Sequence, residues 1–522
     1  PFLQTELPTR LVRIEKGGKR VWLQPTEIEL QYEYTTLSHV WGGTNSPSTT
    51  RDNLNDRIRI GIKTSELPAT FRDAITVTDA LGYCFLWIDS LCIVQDDKTD
   101  WEHECPRMAS IYQGSVVTLA GPTAKDSHAG LLHDRSFLDE PSYLYQTTLQ
   151  YRNEHGMSQS LLTMYYPGHR DHAKKIYPYK TENNSVLLRR AWIFQESLLS
   201  RRTLNFGSTQ MYLDCRRGTR YEMSHQGEGF GLRQRPQYLS FTERQPGEYY
   251  SWWRRGVKKY SRCELTFFSD RLPAISGIVH RLPPPIPDQY VAGLWKNDLQ
   301  RSLLWYNEEG RSPGNQPDSP MEAQYLGPSW SWVSLPTPIT YPDPIHTENA
   351  PLLWSMKTIF ASTSPEGTDP YGRVRGARLI LRGKTAPAVI ARFENDTPSK
   401  GTLSISPIVQ SKSSFNKAQF FPDDPRRFLS VPSVNGVCDL FWDSFGGRTS
   451  TYPQSCDHEC VILFLAAIVE MDSCGIAYVL VLEPGGKVHE FFRRIGLAVI
   501  RIRQEDLIWW HSDCEETDVA IM

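Results

Sequence analysis

The sequence predicts an α/β protein: a parallel sheet with helices on its faces, then a helical segment and a β-rich C-terminal domain. Three observations carry this. The run Cys84 to Ile88 (CFLWI) is short, continuous and apolar, as a central strand buried on both faces must be. Around it, strand-like and helix-like segments alternate over about 90 residues in all, which calls for right-handed crossovers between parallel strands. After about residue 371 the pattern becomes β alone.

Taken in order, residues 9–23 (TRLVRIEKGGKRVWL) form a hairpin about the Gly17-Gly18 turn. Tyr34 to Trp41 (YTTLSHVW) is a strand ending at Gly42-Gly43, the kind of turn where an α/β sheet sets a ligand loop. Residues 67–82 are helical: Pro68 suits a first turn, Phe71, Ala74, Ile75, Thr78 and Leu81 share a face, and Gly82 stops the helix. The run CFLWI then ends at Asp89. Asp100 to Tyr112 reads as a helix capped by Asp100, with Pro106 early or kinking it. Ser115 to Ala120 (SVVTLA) is a further buried strand.

Residues 121–186 read as a long insertion, followed by a helix over 187–199 and strands near 203–206 and 210–213. Residues 216–262 are polar and Gly-rich and read as a loop excursion. Helices fill 260–305, and 306–325 and 336–370 are Pro-rich connections. Strands are expected at 377–382, 460–470, 477–482 and 497–502. The resulting division is a hairpin extension (1–33), an α/β domain (34–215), a helical middle segment (216–335) and a β-rich domain (336–522). No internal repeat is visible.

Composition narrows function. With 522 residues, 39% hydrophobic and 22% charged, the chain is globular and large enough for two to four domains. Its 57 Lys+Arg against 59 Asp+Glu give a formal charge of −2, so no global field draws in nucleic acid or anionic lipid. No run of about 18 apolar residues offers a membrane span, and the N-terminus lacks a secretory pattern. Ten Cys without a CxxC pair read as free thiols of a reducing compartment, hence a cytoplasmic protein.

The blocks Leu37-Ser38-His39-Val40-Trp41-Gly42, Leu67-Pro68-Ala69-Thr70-Phe71-Arg72-Asp73-Ala74, Leu86-Trp87-Ile88-Asp89-Ser90-Leu91-Cys92, Asp100-Trp101 with Met108 and Tyr112, and Arg190-Ala191-Trp192-Ile193-Phe194-Gln195-Glu196 stand in that order over about 170 residues. Together they resemble the fungal heterokaryon-incompatibility (HET) domain family. Asp270-Arg271-Leu272-Pro273-Ala274-Ile275, Ala292-Gly293-Leu294-Trp295, Pro328-Ser329-Trp330-Ser331-Trp332 and Arg494-Ile495-Gly496 extend the likeness downstream. His39 stands where Tyr is also common in the family, and Phe194 where Leu is common. The resemblance implies an intracellular fungal protein of non-self recognition and regulated cell death. It also implies a TIR-like, flavodoxin-like parallel sheet, since HET domains have been likened to TIR domains. Self-association or pairing with other HET-type proteins would be expected.

Many TIR domains cleave NAD⁺ at the nicotinamide–ribose bond with a Glu four residues after a Trp. Trp192 and Glu196 have that spacing, and i and i+4 share one helix face. The resemblance thus implies NAD⁺ as substrate, no required cofactor, and Glu196 as the carboxylate stabilising an oxocarbenium-like ribosyl centre. The alternative is that Glu196 pairs with Arg189, Arg190 or Arg201 and braces its helix. Ser38, His39, Trp41 and Gly42 after one strand, and Asp89 and Cys92 after the next, would meet at the carboxyl edge of the sheet with Trp192. Trp41 either stacks on a base or lids the core. Asp89 either binds a ribose hydroxyl or caps a turn. Cys92 with His39 suggests a nucleophile pair, but a buried thiol among Leu91 and Ile93 fits better.

Metal signals are thin. Cys456, His458 and Cys460 lack a second pair, and His169 with His172 are no better. Asp96, Asp97 and Asp100 read as a solvated turn with a cap. The absence of GxxxxGK[ST] excludes a P-loop motor. A non-enzymatic HET–HET signalling protein and a HET-like scaffold recruited to other small-molecule chemistry remain alternatives.

Overall fold

The computed structural model describes residues 7–27, 29–42, 46–132, 145–152, 158–166, 185–208, 210–215, 218–222, 245–308, 325–342, 352–391, 401–405, 418–422, 458–469, 474–485, 491–503 and 514–522. The chain divides into two compact units. One holds Pro1–Leu239 with Cys263–Leu265 and Gly277–Leu282, the other the remainder.

In the first unit the strands are β1 (Arg10–Ile14), β2 (Arg20–Pro25), β3 (Thr35–Ser38), β4 (Ile62–Lys63), β5 (Phe85–Trp87), β6 (Thr118–Ala120), the separate hairpin β7 (Tyr145–Arg152) and β8 (Ser158–Tyr166), then β9 (Arg202–Phe206), β10 (Met211–Cys215) and β11 (Gly218–Tyr221). The main sheet has the order β11-β10-β9-β6-β3-β5-β1-β2-β4. Its centre, β5-β3-β6-β9, is parallel; the strands on both flanks are antiparallel. The expected all-parallel sheet is therefore mixed. A two-strand hairpin needs no crossover and can extend an edge, so β1 pairs with β5 through Arg13 and Phe85. All four residues of β3 are buried, as a strand covered on both faces requires.

The helices of this unit are α1 (Leu54–Arg59), α2 (Ala69–Ala80), the single turn α3 (Asp89–Cys92), α4 (Lys98–Glu104), α5 (Met108–Gly114) and α6 (Ala191–Leu199). Helix α2 buries Phe71, Ala74, Ile75 and Thr78, and Gly82 adopts φ +84° just beyond it. Leu81, expected on the inner face, is 46% exposed, because it lies past the last helical turn. Thr78 Oγ1 meets Thr35 Oγ1 at 2.8 Å and ties α2 to β3. The expected helix over 100–112 is two helices split by a 3-10 turn at Cys105–Arg107, where Pro106 removes a backbone donor. The cap is Asp97, which accepts from the Thr99 and Asp100 amides. Asp100 instead receives the Arg10 guanidinium and the Val94 amide (2.8 Å).

In the second unit, residues 246–260, read from sequence as loop, form the helix Pro246–Tyr260, whose Tyr249, Trp253, Val257 and Tyr260 are buried at helical spacing. The helical reading of 260–305 reduces to Pro273–Arg281, whose residues from Gly277 on belong to the first unit, and the turn Leu299–Ser302, with a small Tyr290–Val291/Leu294–Trp295 hairpin between. Trp330 and Trp332 are fully buried. Among the described residues the C-terminal strands form one nine-stranded sheet. The pairings return on themselves: Val374–Ala391 bonds both Gly401–Ile405 and His458–Val469, and Cys474–Gly485, Phe491–Arg503 and Ala418–Pro422 complete the ring. Such closure leaves the ring strands without free edges.

Candidate functional site

The four parallel strands place their carboxyl ends side by side. Residue Ser38 closes β3, Asp89 follows β5, and Gly121 follows β6. Helix α6 returns to this end of the sheet and is fixed by a relay of hydroxyls. Thr36 Oγ1 meets Thr118 Oγ1 at 2.7 Å, Thr118 Oγ1 meets Ser200 Oγ at 2.7 Å, and Ser200 donates to the Glu196 carbonyl at 2.7 Å. Gln195, also buried, accepts from the Gly277 amide at 2.9 Å and pins the other side of the helix. The position of Glu196 is therefore set by the sheet itself.

Glu196 is 4% exposed, and its Oε2 has no hydrogen-bond partner among the described residues. Burial pushes its pKa up to about 7. The nearby Ser38 hydroxyl pulls it down, Asp89 raises it again, and the Tyr112 phenol and Arg190 lower it. None of the arginines expected to brace Glu196 forms an ion pair with it among the described residues. Arg190 instead donates to the His39 carbonyl at 3.1 Å. The phenol of Tyr112 is buried and donates to the Leu37 carbonyl at 3.3 Å; burial, Glu196 and Asp89 all push its pKa well up.

Asp89 begins α3. Its Oδ1 accepts from the Ser90 amide at 2.7 Å and its Oδ2 from Trp41 Nε1 at 2.8 Å. Asp89 thus binds the next amide of its own turn and holds Trp41 at once, without capping the turn, whose N-cap is Ile88. His39 is buried, lies edge-on to Phe71 with ring centroids 5.0 Å apart, and has its Nδ1 3.8 Å from Asp89 Oδ1. Neither of its ring nitrogens has a hydrogen-bond partner among the described residues. Burial drives its pKa down, Asp89 opposing and Arg190 adding to the effect, so the imidazole is neutral at neutral pH.

Ser38, His39, Asp89 and Glu196 thus share one electrostatic neighbourhood, with Trp41 joined to it through Asp89. Trp192 is half-buried against the main core of the first unit. Cys92 is wholly buried in that core, and burial raises its thiol to about 12, so it carries no thiolate at neutral pH. Gly42 is exposed at φ +78°, and a Cβ there would fall 2.1 Å from Asp126 Cβ. The same approach brings Ser127 Oγ within 2.9 Å of the Trp41 carbonyl. Gly42→Ala is expected to cost about 1–3 kcal/mol in urea unfolding, because both strain and contact oppose it; an unchanged midpoint would show that the loop after β3 relaxes freely.

Sequence reasoning missed Asp126 and Ser127, whose only signal was a turn-like Lys-Asp-Ser run. Tyr112 was read as the end of a helix and part of the family pattern rather than as a neighbour of Glu196, and Arg190 as a brace for Glu196 rather than for His39. Cys456, His169 and His172 lie outside the described residues. Among the described residues no three His, Cys, Asp or Glu side chains gather as a metal site, and no helix is long and apolar enough to cross a membrane.

No curated protein and no solved structure matches the chain. A family model does, over the segment that contains every residue of the candidate site from Ser38 to Glu196. Residues 34–196 match the family described as Heterokaryon incompatibility protein (HET), so this segment of the chain is similar to that domain.

Proposed function

We propose that the HET domain is TIR-like and hydrolyses NAD⁺ to nicotinamide and ADP-ribose, in service of non-self recognition and regulated cell death. One observation carries the reading: a buried carboxyl group, Glu196, in no ion pair among the described residues, stands at the carboxyl edge of the parallel strands with its Oε2 unpartnered among them. The strand order supports it. In order of appearance the parallel strands run second-first-third-fourth, as in flavodoxin-like doubly wound sheets, which bind ligands outside the strand ends at the switch point between β3 and β6.

The chemistry asks little more of the chain. As the C1′–N bond breaks, positive charge grows on the ribosyl centre, and an ionised Glu196 in a low-dielectric site opposes it. Ser38, Asp89 and Trp41 supply a hydroxyl, a carboxylate and an aromatic face for the dinucleotide, with backbone access at Gly42. No cofactor is needed, NAD⁺ being the substrate. Because the carboxylate is the active form and its pKa is about 7, kcat/KM is expected to rise with pH through about 7 and level off above it. The cationic pyridinium favours ionisation, so the limb in kcat should lie at lower pH. A pH–rate profile checks both limbs.

The deciding assay incubates the purified chain with NAD⁺ across protein concentrations, since self-association is expected. Nicotinamide release that disappears in Glu196→Ala supports the reading; release that survives the substitution ends it. A second reading, a non-enzymatic protein that signals by docking onto other HET-type domains in a fungal cytoplasm, is favoured by Trp41 being tied to Asp89 and Trp192 packing on the core. Concentration-dependent assembly without nicotinamide release would select it.

A further inference from the structure

We propose that His39 is the general base that takes the proton of the attacking water, and that Asp89 is the residue that positions it. The inference rests on the glycohydrolase reading and adds its hydrolytic half.

Four features of His39 fit that task. It is neutral at working pH, so a lone pair is available. Its Nδ1 lies 3.8 Å from Asp89 Oδ1, too long for a hydrogen bond but one small movement from closing it, and catalytic hydrogen bonds commonly tighten when substrate binds. Closure would hold the proton on Nδ1 and leave Nε2 as the acceptor. Nε2 is buried and has no partner among the described residues to compete with water. Finally, both partners are held in place. Asp89 is fixed by the Ser90 amide and Trp41 Nε1, and His39 by Arg190 on its carbonyl and by the edge of Phe71. The charged groups facing the ring are Asp89 from the start of α3 and Arg190 from the start of α6; Phe71 of α2 brings none.

The step balances. The C1′–N bond breaks and its electron pair goes to the pyridine nitrogen, releasing neutral nicotinamide. The water oxygen bonds to C1′, and one water proton passes to Nε2 and then to solvent. NAD⁺ and water become ADP-ribose, nicotinamide and a proton. A pyridine base that replaces water as nucleophile has no proton to lose and needs no general base.

That difference gives the test. The full chain is incubated with NAD⁺ and 3-acetylpyridine, and ADP-ribose and the exchanged dinucleotide are quantified for wild type, His39→Gln and Asp89→Asn. Expected is a ratio of exchange to hydrolysis at least about tenfold higher in His39→Gln, and higher in the same direction in Asp89→Asn. A merely structural role would lower both products together, and an unchanged ratio in the variants overturns the inference while leaving Glu196 its role. If His39→Gln does not fold, Asp89→Asn decides alone. If wild type yields neither product, the glycohydrolase reading falls and takes this one with it.

Discussion

Replacing Glu196 by Gln is expected to remove NAD⁺ cleavage and, at the same time, to stabilise the first unit above neutral pH. On the proposed mechanism, loss of a preorganised charge at the reacting centre costs about 10²–10³ in rate. The stability gain follows from the same burial. The folded pKa of about 7 lies above the unfolded value of 4.5, so the contribution of the protonated group is complete below about 4.5 and is lost as pH rises through about 7. At about 1.4 kcal/mol per unit, the wild-type protein at pH 8 gives up about 3 kcal/mol that the uncharged amide of the Glu196→Gln variant would keep. At pH 4.5 the two proteins should differ little. Hydrogen exchange of the Ala191–Leu199 amides at the two pH values reads this locally, with urea unfolding as a second measure. Equal protection of wild type and variant at pH 8 would mean that Glu196 is not held in a strained, uncompensated state. That two-sided outcome, with activity lost and stability gained, is what separates a functional carboxyl from a structural one.

Much of the first unit was legible because its signals are local. Within CFLWI and SVVTLA lie the short strands Phe85–Trp87 and Thr118–Ala120, the first with Cys84 exposed and Phe85 half-buried rather than buried throughout, and α2 declares itself by Phe71, Ala74, Ile75 and Thr78. The antiparallel flanks were not legible, since the pairing of β1 with β5 depends on a hairpin about 70 residues upstream choosing a sheet edge. The helix Pro246–Tyr260 was missed because polar neighbours over 216–245 hid the periodicity of Tyr249, Trp253, Val257 and Tyr260. Charge partners were the least visible of all. Arg189, Arg190 and Arg201 stand close to Glu196 in sequence, yet Arg190 turns to His39, and Asp100 answers Arg10 at the far end of the hairpin rather than capping its own helix. Proximity along the chain says little about which buried charge finds which partner, because desolvation penalties are settled by tertiary contacts.

The second unit offers the other large effect. The Arg254 guanidinium, on the helix Pro246–Tyr260, is 2% exposed and pairs with Asp298, whose carboxylate also accepts from Ser302 Oγ. Asp298→Ala would leave a buried guanidinium without its carboxylate, and the cost of breaking such a pair is about 3–5 kcal/mol. The expected result is a large drop in the urea midpoint of the tryptophan signal, since Trp253, Trp305, Trp330 and Trp332 are all buried in this unit. Replacing both charges, as Arg254→Met with Asp298→Leu, should recover much of the loss, because the penalty lies in the orphaned charge and not in the missing attraction. If the double variant is no more stable than Asp298→Ala, the pair contributes attraction beyond its desolvation cost. The helix Pro246–Tyr260 and the turn Leu299–Ser302 would then be held together by charge rather than by the aromatic packing of Tyr249, Trp253 and Trp295 between them.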